Sequence, residues 1–138
     1  MKDKIFNIEN YYIGQIKEFK KYISIDDVIK FSELSGDKNP IHIDENYANI
    51  SRYKKRLVHG TLILSYFSKI YGMIFPGNGC TIAEQSIIYK KPVYIDKTFR
   101  LVVEIINIDK KKRNLLFKNI CYDDGKILIE GNTRVFLP

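Results

Sequence analysis

Thr61-Leu-Ile-Leu-Ser-Tyr-Phe-Ser-Lys-Ile-Tyr-Gly-Met-Ile-Phe75 is the most apolar helical run of the chain. Leu62, Ile63, Tyr66, Phe67, Ile70, Tyr71 and Ile74 recur in it at helical spacing over a broad face. A helix apolar around so much of its circumference belongs in the middle of a fold, not on its surface. It stops at Phe75-Pro76-Gly77-Asn78-Gly79, a cluster of breakers. Everything after that reads as strand: Cys80 to Tyr89, Thr98 to Ile108, Leu115 to Tyr122 and Lys126 to Phe136. Lys90-Lys91-Pro92, the solvated run Lys110 to Arg113, and the hairpin signal Asp123-Asp124-Gly125 separate them. One long buried helix followed by hairpin-linked strands implies an α+β fold, with an antiparallel β-sheet wrapped around a central α-helix.

Upstream of that helix the elements are shorter. Residues 1 to 14 carry Phe6, Tyr11 and Tyr12 without a clean period, which suggests a short strand or ordered arm. Gln15 to Ile23 alternates weakly and reads as a first strand. Ser24 is a good N-cap with Asp27 three residues on, and a helix should run from there to a glycine stop at Ser35-Gly36. Asp44 caps a second, short helix from Glu45 to about Tyr53. Arg52-Tyr-Lys-Lys-Arg56 then reads as exposed linker. These pieces form a short helical overhang before the central helix.

With 138 residues, the chain is expected to form a single domain over 1–138. Its 45% hydrophobic and 28% charged residues exclude wholesale disorder. No apolar run approaches the roughly 20 residues that span a bilayer, so no membrane role is expected. Met1-Lys2-Asp3-Lys4 carries both signs of charge with no apolar stretch behind it and is not read as a secretory leader; the cytoplasm is the default. Cys80 and Cys121 are far apart and each falls in a strand-like run. A disulfide and two free thiols both fit, and a reducing compartment favours the thiols. Two histidines without paired cysteine spacing give a metal site no support. The net charge of +7 raises nucleic acid, a membrane surface or an anionic ligand as partners. The basic residues are dispersed, however, with no aromatic–basic platform, which argues against nucleic acid.

The chemistry concentrates at Gly36-Asp-Lys-Asn-Pro-Ile-His42. An acid, Asp37, stands five residues before an imidazole, His42, with Asn39 and Pro40 stiffening the turn between them. Val58-His59-Gly60 is a second anchor, opening the central helix. Each feature has a plainer reading. Gly-Asp-x-Asn-Pro is also an ordinary turn in which Asp37 caps the next segment. His59, alone before a buried helix, is more often a structural residue, here fixing the turn at Gly60. Tyr66, Phe67 and Tyr71 serve as core, or Tyr66 and Phe67 as a lining for substrate.

Phe31-Ser-Glu-Leu-Ser-Gly-Asp-Lys-Asn-Pro-Ile-His-Ile-Asp44 closely resembles the hydratase signature of the MaoC-like, (R)-specific enoyl-CoA hydratase family. The likeness continues through Ala48, Leu57-Val58-His59-Gly60, Gln85-Ser86, Lys91-Pro92-Val93 and Leu137-Pro138, in the family's order and spacing. Arg56 stands where many relatives have proline, and Thr61 where they often carry a larger apolar residue. The resemblance implies the hot-dog fold and reversible addition of water to a trans-2-enoyl-CoA, with no cofactor beyond the coenzyme A thioester itself.

That reaction needs a group to position and deprotonate water, an acid for the α-carbon, and a donor for the thioester oxygen. The resemblance assigns the first two to Asp37 and His42 and leaves open which is base and which acid. It gives loop support to Asn39, the oxyanion to the Gly60 amide, and a place near the acyl group to Ser68. His59, Tyr66 and Phe67 are further substrate-binding candidates. Lys90, Lys91 and the Arg52-to-Arg56 run, Arg56 included, are candidates for the phosphates of coenzyme A, with simple solvation as the alternative. The family pairs protomers edge to edge, which implies a homodimer. The alternatives are a dehydratase acting on acyl carrier protein, a hot-dog acyl-CoA thioesterase, and a non-catalytic acyl-CoA-binding module.

Overall fold

The computed structural model describes residues 6–138. The arm expected over residues 1 to 14 lies partly outside that range; within it, Ile8–Asn10 form a single 3-10 turn capped by Asn7. Strand β1, Ile16–Ile23, leads into helix α1, Ile25–Ser35, then the short helices α2, Pro40–Ile43, and α3, Glu45–Ile50. The central helix α4 runs Gly60–Lys69 and continues as one wider π turn, Ile70–Ile74. Strands β2, Thr81–Tyr89, β3, Lys97–Asp109, β4, Asn114–Asp123, and β5, Lys126–Phe136, complete the chain.

The strands form one antiparallel sheet in the order β1-β3-β4-β5-β2. Its central hairpins follow from their turns. Asp123 pairs with Lys126 across Asp124 and Gly125, both at positive φ (46° and 78°). Such a two-residue turn matches the twist of the strands it joins, and glycine takes its second position without strain. The four-residue loop between Asp109 and Asn114 closes with Arg113 at φ 56°.

One sheet face is apolar because the side chains alternate. Phe99, Leu101, Val103 and Ile105 on β3 are buried, as are Leu115, Phe117 and Cys121 on β4 and Ile129 and Val135 on β5. Leu62, Ile63, Phe67, Ile70 and Tyr71 of the central helix are buried in the same cluster. Each large side chain so covered contributes about 1.5–3 kcal/mol, and the sheet curls around the helix that brings them. This is the hot-dog arrangement implied by the sequence. Two polar residues interrupt the apolar rows and bond to one another: the Thr133 hydroxyl donates to Asn119 Oδ1 at 2.8 Å and accepts from Gln85 Nε2 at 3.2 Å, while Asn119 Nδ2 is buried with no partner among the described residues.

The two sheet edges differ. β1 carries Lys17, Glu18, Lys20 and Lys21 in eight residues, a guarded edge. β2 carries one charge, Glu84, in nine, and among the described residues it pairs with β5 alone. Neither cysteine is in a disulfide. No helix among the described residues is long and apolar enough to cross a membrane.

Candidate active site

The overhang between β1 and α4 is held by a chain of local caps. Ser24 and Asp27 form a reciprocal capping box at the start of α1. Gly36 ends α1 at φ 79°, its amide donating to the Ser32 carbonyl at 2.9 Å. Ser35 Oγ accepts from the Asp37 amide at 3.1 Å, and Asp37 Oδ1 accepts from the Asn39 amide at 3.2 Å. Asn39 Oδ1 accepts in turn from Ile41 at 3.2 Å, with Pro40 at the first helical position of α2. Each short polar side chain thus rigidifies the next step of the turn. The loop delivers Asp37 and His42 to the same side.

The strap before α4 clamps this loop from behind. The Leu57 amide donates to the Ile41 carbonyl at 3.1 Å, and the Leu57 carbonyl accepts from His42 Nδ1 at 2.8 Å. A carbonyl only accepts, so Nδ1 carries the proton and Nε2 of His42 keeps a free lone pair. Val58 donates to the Val93 carbonyl at 2.7 Å, tying the same strap to the segment after β2. His59 follows as the N-cap of α4.

Asp37, His42 and His59 each place one side-chain O or N within 4.8 Å of the others. A water with two hydrogen bonds of about 2.8 Å spans such a gap. The His42 and His59 rings stack with centroids 3.8 Å apart and planes at 23°. Burial is the largest effect on His42 and pushes its pKa below 6.5. The Leu57 hydrogen bond opposes this, the neighbouring His59 adds to it, and the Asp37 charge opposes it again. The net result is a ring that resists protonation. The Gly60 amide, first in α4, has no acceptor among the described residues and points from the positive end of the helix.

The same trio could be suspected of holding a metal ion. Lone pairs of ring nitrogens lie in the ring plane, so those of two stacked rings run side by side instead of converging on one ion. One nitrogen of each ring is also committed to a main-chain carbonyl. The arrangement suits proton handling better than a ligand set.

These groups border a cleft of about 490 Å³ lined by Asp37, His42, His59, Gly60, Tyr89 and Lys91, among others. A family model described as the MaoC like domain matches residues 13–127. The chain belongs to that family. The (R)-specific enoyl-CoA hydratase of Rhodospirillum rubrum is 35% identical over 91% of this chain and 87% of its own length. A mitochondrial 3-hydroxyacyl-[acyl-carrier-protein] dehydratase of Arabidopsis thaliana is 29% identical over 91% of the chain and 77% of its own. Among solved structures, the (R)-hydratase from A. caviae superposes with a TM-score of 0.90 at 28% identity, covering 94% of this chain and 99% of its own.

Within this MaoC-like domain the structure brings Asp37, His42, His59 and Gly60 together at the cleft and places Asn39 under the loop, as the N-cap of α2. Lys90 and Lys91 line the cleft; Arg52 does so from the linker, whereas Arg56 is not among its lining residues. Lys90 is ion-paired to Glu130 at 2.7 Å, and the Arg52 guanidinium stacks over the Tyr53 ring at 4.8 Å. Ser68 lies on an exposed face of α4 outside the cleft. Phe67 is fully buried in the core. Tyr66 is half-buried, with Lys21 Nζ 4.8 Å above its ring and its pKa pushed up to about 12, mainly by burial and secondarily by Asp27.

Two residues of the site were not singled out by the sequence as site residues. Tyr89, the last residue of β2, lays its ring on Gly60: a Cβ there would sit 2.6 Å from Tyr89 Cζ. Glycine lets this ring lie close against the start of α4, and the contact comes from a residue 29 positions away. Ser32, on α1, reaches the His59 ring from inside the fold, Oγ to Nε2 at 3.2 Å.

Proposed function

We propose that the protein is a hydro-lyase that reversibly adds water to a trans-2-enoyl-CoA, giving the (R)-3-hydroxyacyl-CoA. The carrying observation is the approach of the Asp37 carboxylate and the His42 ring to within 4.8 Å beside the free Gly60 amide. A water held between the two gives its proton to one and attacks the β-carbon. The electron pair of the double bond moves toward the carbonyl, and the oxygen's developing charge meets the Gly60 N–H at the helix N-terminus. The α-carbon then takes that same proton back from the pair, so Asp37 and His42 return to their starting protonation states. Every proton has a donor and an acceptor, and no electron is gained or lost, so the reaction requires neither metal nor redox cofactor. The (R) outcome follows the named relatives.

Lys91 and Arg52 at the cleft supply positive charge suited to the phosphates of coenzyme A. The same charge suits an acidic acyl carrier protein, the second reading, which the plant relative's name supports. A second copy of the chain at the β2 edge makes a homodimer: this edge is nearly uncharged and shows Ile82 and Ile88 to solvent. Two cysteines outside any disulfide fit the reducing cytoplasm.

The test is crotonyl-CoA in a cuvette with purified protein, following the enoyl-thioester absorbance and free thiol together. Loss of the band without thiol release, giving the (R)-alcohol, is expected. Thiol release would make the protein a thioesterase, and turnover seen solely with crotonyl-acyl carrier protein would select the second reading.

A further inference from the structure

We propose that His59 is a positioning residue, whose buried ring holds Asp37 by its main chain and His42 by its face so that both act on one water. The inference rests on the hydration reading above.

His59 is 1% exposed, too little to serve as a substrate contact. Its Nε2 lies 3.1 Å from the Asp37 carbonyl oxygen and 3.2 Å from Ser32 Oγ. The carbonyl can only accept, so Nε2 carries a proton and donates it to the residue that bears the catalytic carboxylate. Nδ1 is buried with no partner among the described residues, so a proton there would find no acceptor. Phe31 packs its ring edge against the imidazole at 4.9 Å, Ser32 backs Nε2, and His42 covers one face at 3.8 Å. The ring is thus clamped in plane and in rotation.

For His42 the clamp supplies the missing constraint. The Leu57 carbonyl fixes where Nδ1 points but leaves the ring free to tilt about that bond; the stack on His59 removes the tilt. Positions of Asp37 and of the lone pair on His42 Nε2 are then set by one side chain. His59 also lowers the proton affinity of His42, in the same sense as burial and against Leu57 and Asp37. The other charged groups at the cleft, Arg52, Lys90 and Lys91, belong to other segments.

The chain has two histidines, and both are in this stack, so nitrogen NMR of the native protein reads them without interference. The expected result is Nε2–H on His59 and Nδ1–H on His42; a His59 found as Nδ1–H overturns the inference, whatever the variants do. His59→Phe keeps a flat ring and loses the donor. With crotonyl-CoA, kcat should fall on the order of 10- to 100-fold while KM stays within about twofold. The acid limb of kcat/KM should move to higher pH, because the neighbour that lowered the His42 pKa is gone. A variant with wild-type kcat and limb, or one changed in KM alone, refutes the role. If the variant does not fold, the NMR result decides. A wild-type protein that leaves crotonyl-CoA untouched refutes the hydration reading instead, and the tautomers are read independently of it.

Discussion

Asp37→Asn separates the charge of the carboxylate from its structural duties. Asp37 Oδ1 accepts from the Asn39 amide, and an asparagine keeps an oxygen in that place. The loop should therefore hold, with stability changed by less than about 0.5 kcal/mol. What is lost is a negative charge within 4.8 Å of the His42 ring, and with it a proton acceptor. At an effective dielectric of about 20, that charge interacts with an imidazolium by about 3.5 kcal/mol. Screening reduces this at a carboxylate that is 50% exposed. General acid–base participation contributes about 10²–10⁴ in rate, or about 3–5 kcal/mol of barrier. Both routes place the loss in kcat at a hundredfold or more. The acid limb should also move to lower pH, because the Asp37 charge is one of the effects raising the His42 pKa. The assay is loss of the enoyl-thioester band from crotonyl-CoA across pH, beside a urea midpoint for each protein. A variant within about tenfold of wild-type kcat, with its acid limb unmoved, would refute the pairing of Asp37 and His42.

Other perturbations test separate parts of the molecule. His42 has a folded-state pKa below 6.5, so between that value and 6.5 the unfolded chain binds more protons. Its contribution is complete above pH 6.5 and is lost as pH falls through that window; His42→Gln should flatten this part of a urea-midpoint-versus-pH curve. Gly60→Ala would place a methyl against the Tyr89 ring, which is half-exposed and can swing away. Melting should shift little, while kcat falls about tenfold or more as the thioester is displaced from the amide. Phe67→Ala should cost about 3–5 kcal/mol in denaturant titration, since the side chain is fully buried; an unchanged midpoint would contradict its place in the core. At Gly131 the obstacle to a Cβ is main chain, with the Ser86 carbonyl carbon 2.8 Å away. Gly131→Ala should therefore destabilise by about 1–3 kcal/mol, in contrast to the tolerant Gly60.

Local chemistry was the part of this structure most legible in the residues. Ser24 with Asp27, Gly36, Asn39 with Pro40, and Asp124-Gly125 each specify a cap or turn within a few positions, and each forms where expected. The apolar period over Thr61 to Phe75 foretold burial, but not the widening of Ile70–Ile74 into a π turn. The short second helix ends at Ile50 rather than near Tyr53, because the Ser51 hydroxyl donates to the Ala48 carbonyl and closes the turn. Asp37 and His42 were visible together because one loop carries both. Tyr89 over Gly60 and Ser32 behind His59 are meetings of distant segments, created by strand register and helix packing that no short window contains. Likewise Arg52, not Arg56, turned out to face the cleft, a matter of how one exposed turn is rotated.

Tyr89 and Lys90 wall the cleft from the end of β2, the strand anchored along one side alone. Whatever loosens that strand also loosens the wall. With a second copy seated on the free edge, catalytic competence becomes a property of concentration. Diluted below the dissociation constant of that pairing, the protein should fray first at β2 and lose specific activity before its bulk fold melts. Hydrogen exchange would show this as amides of Thr81–Tyr89 that are protected at high protein and released at low, while those of β4, paired on both sides, stay closed throughout.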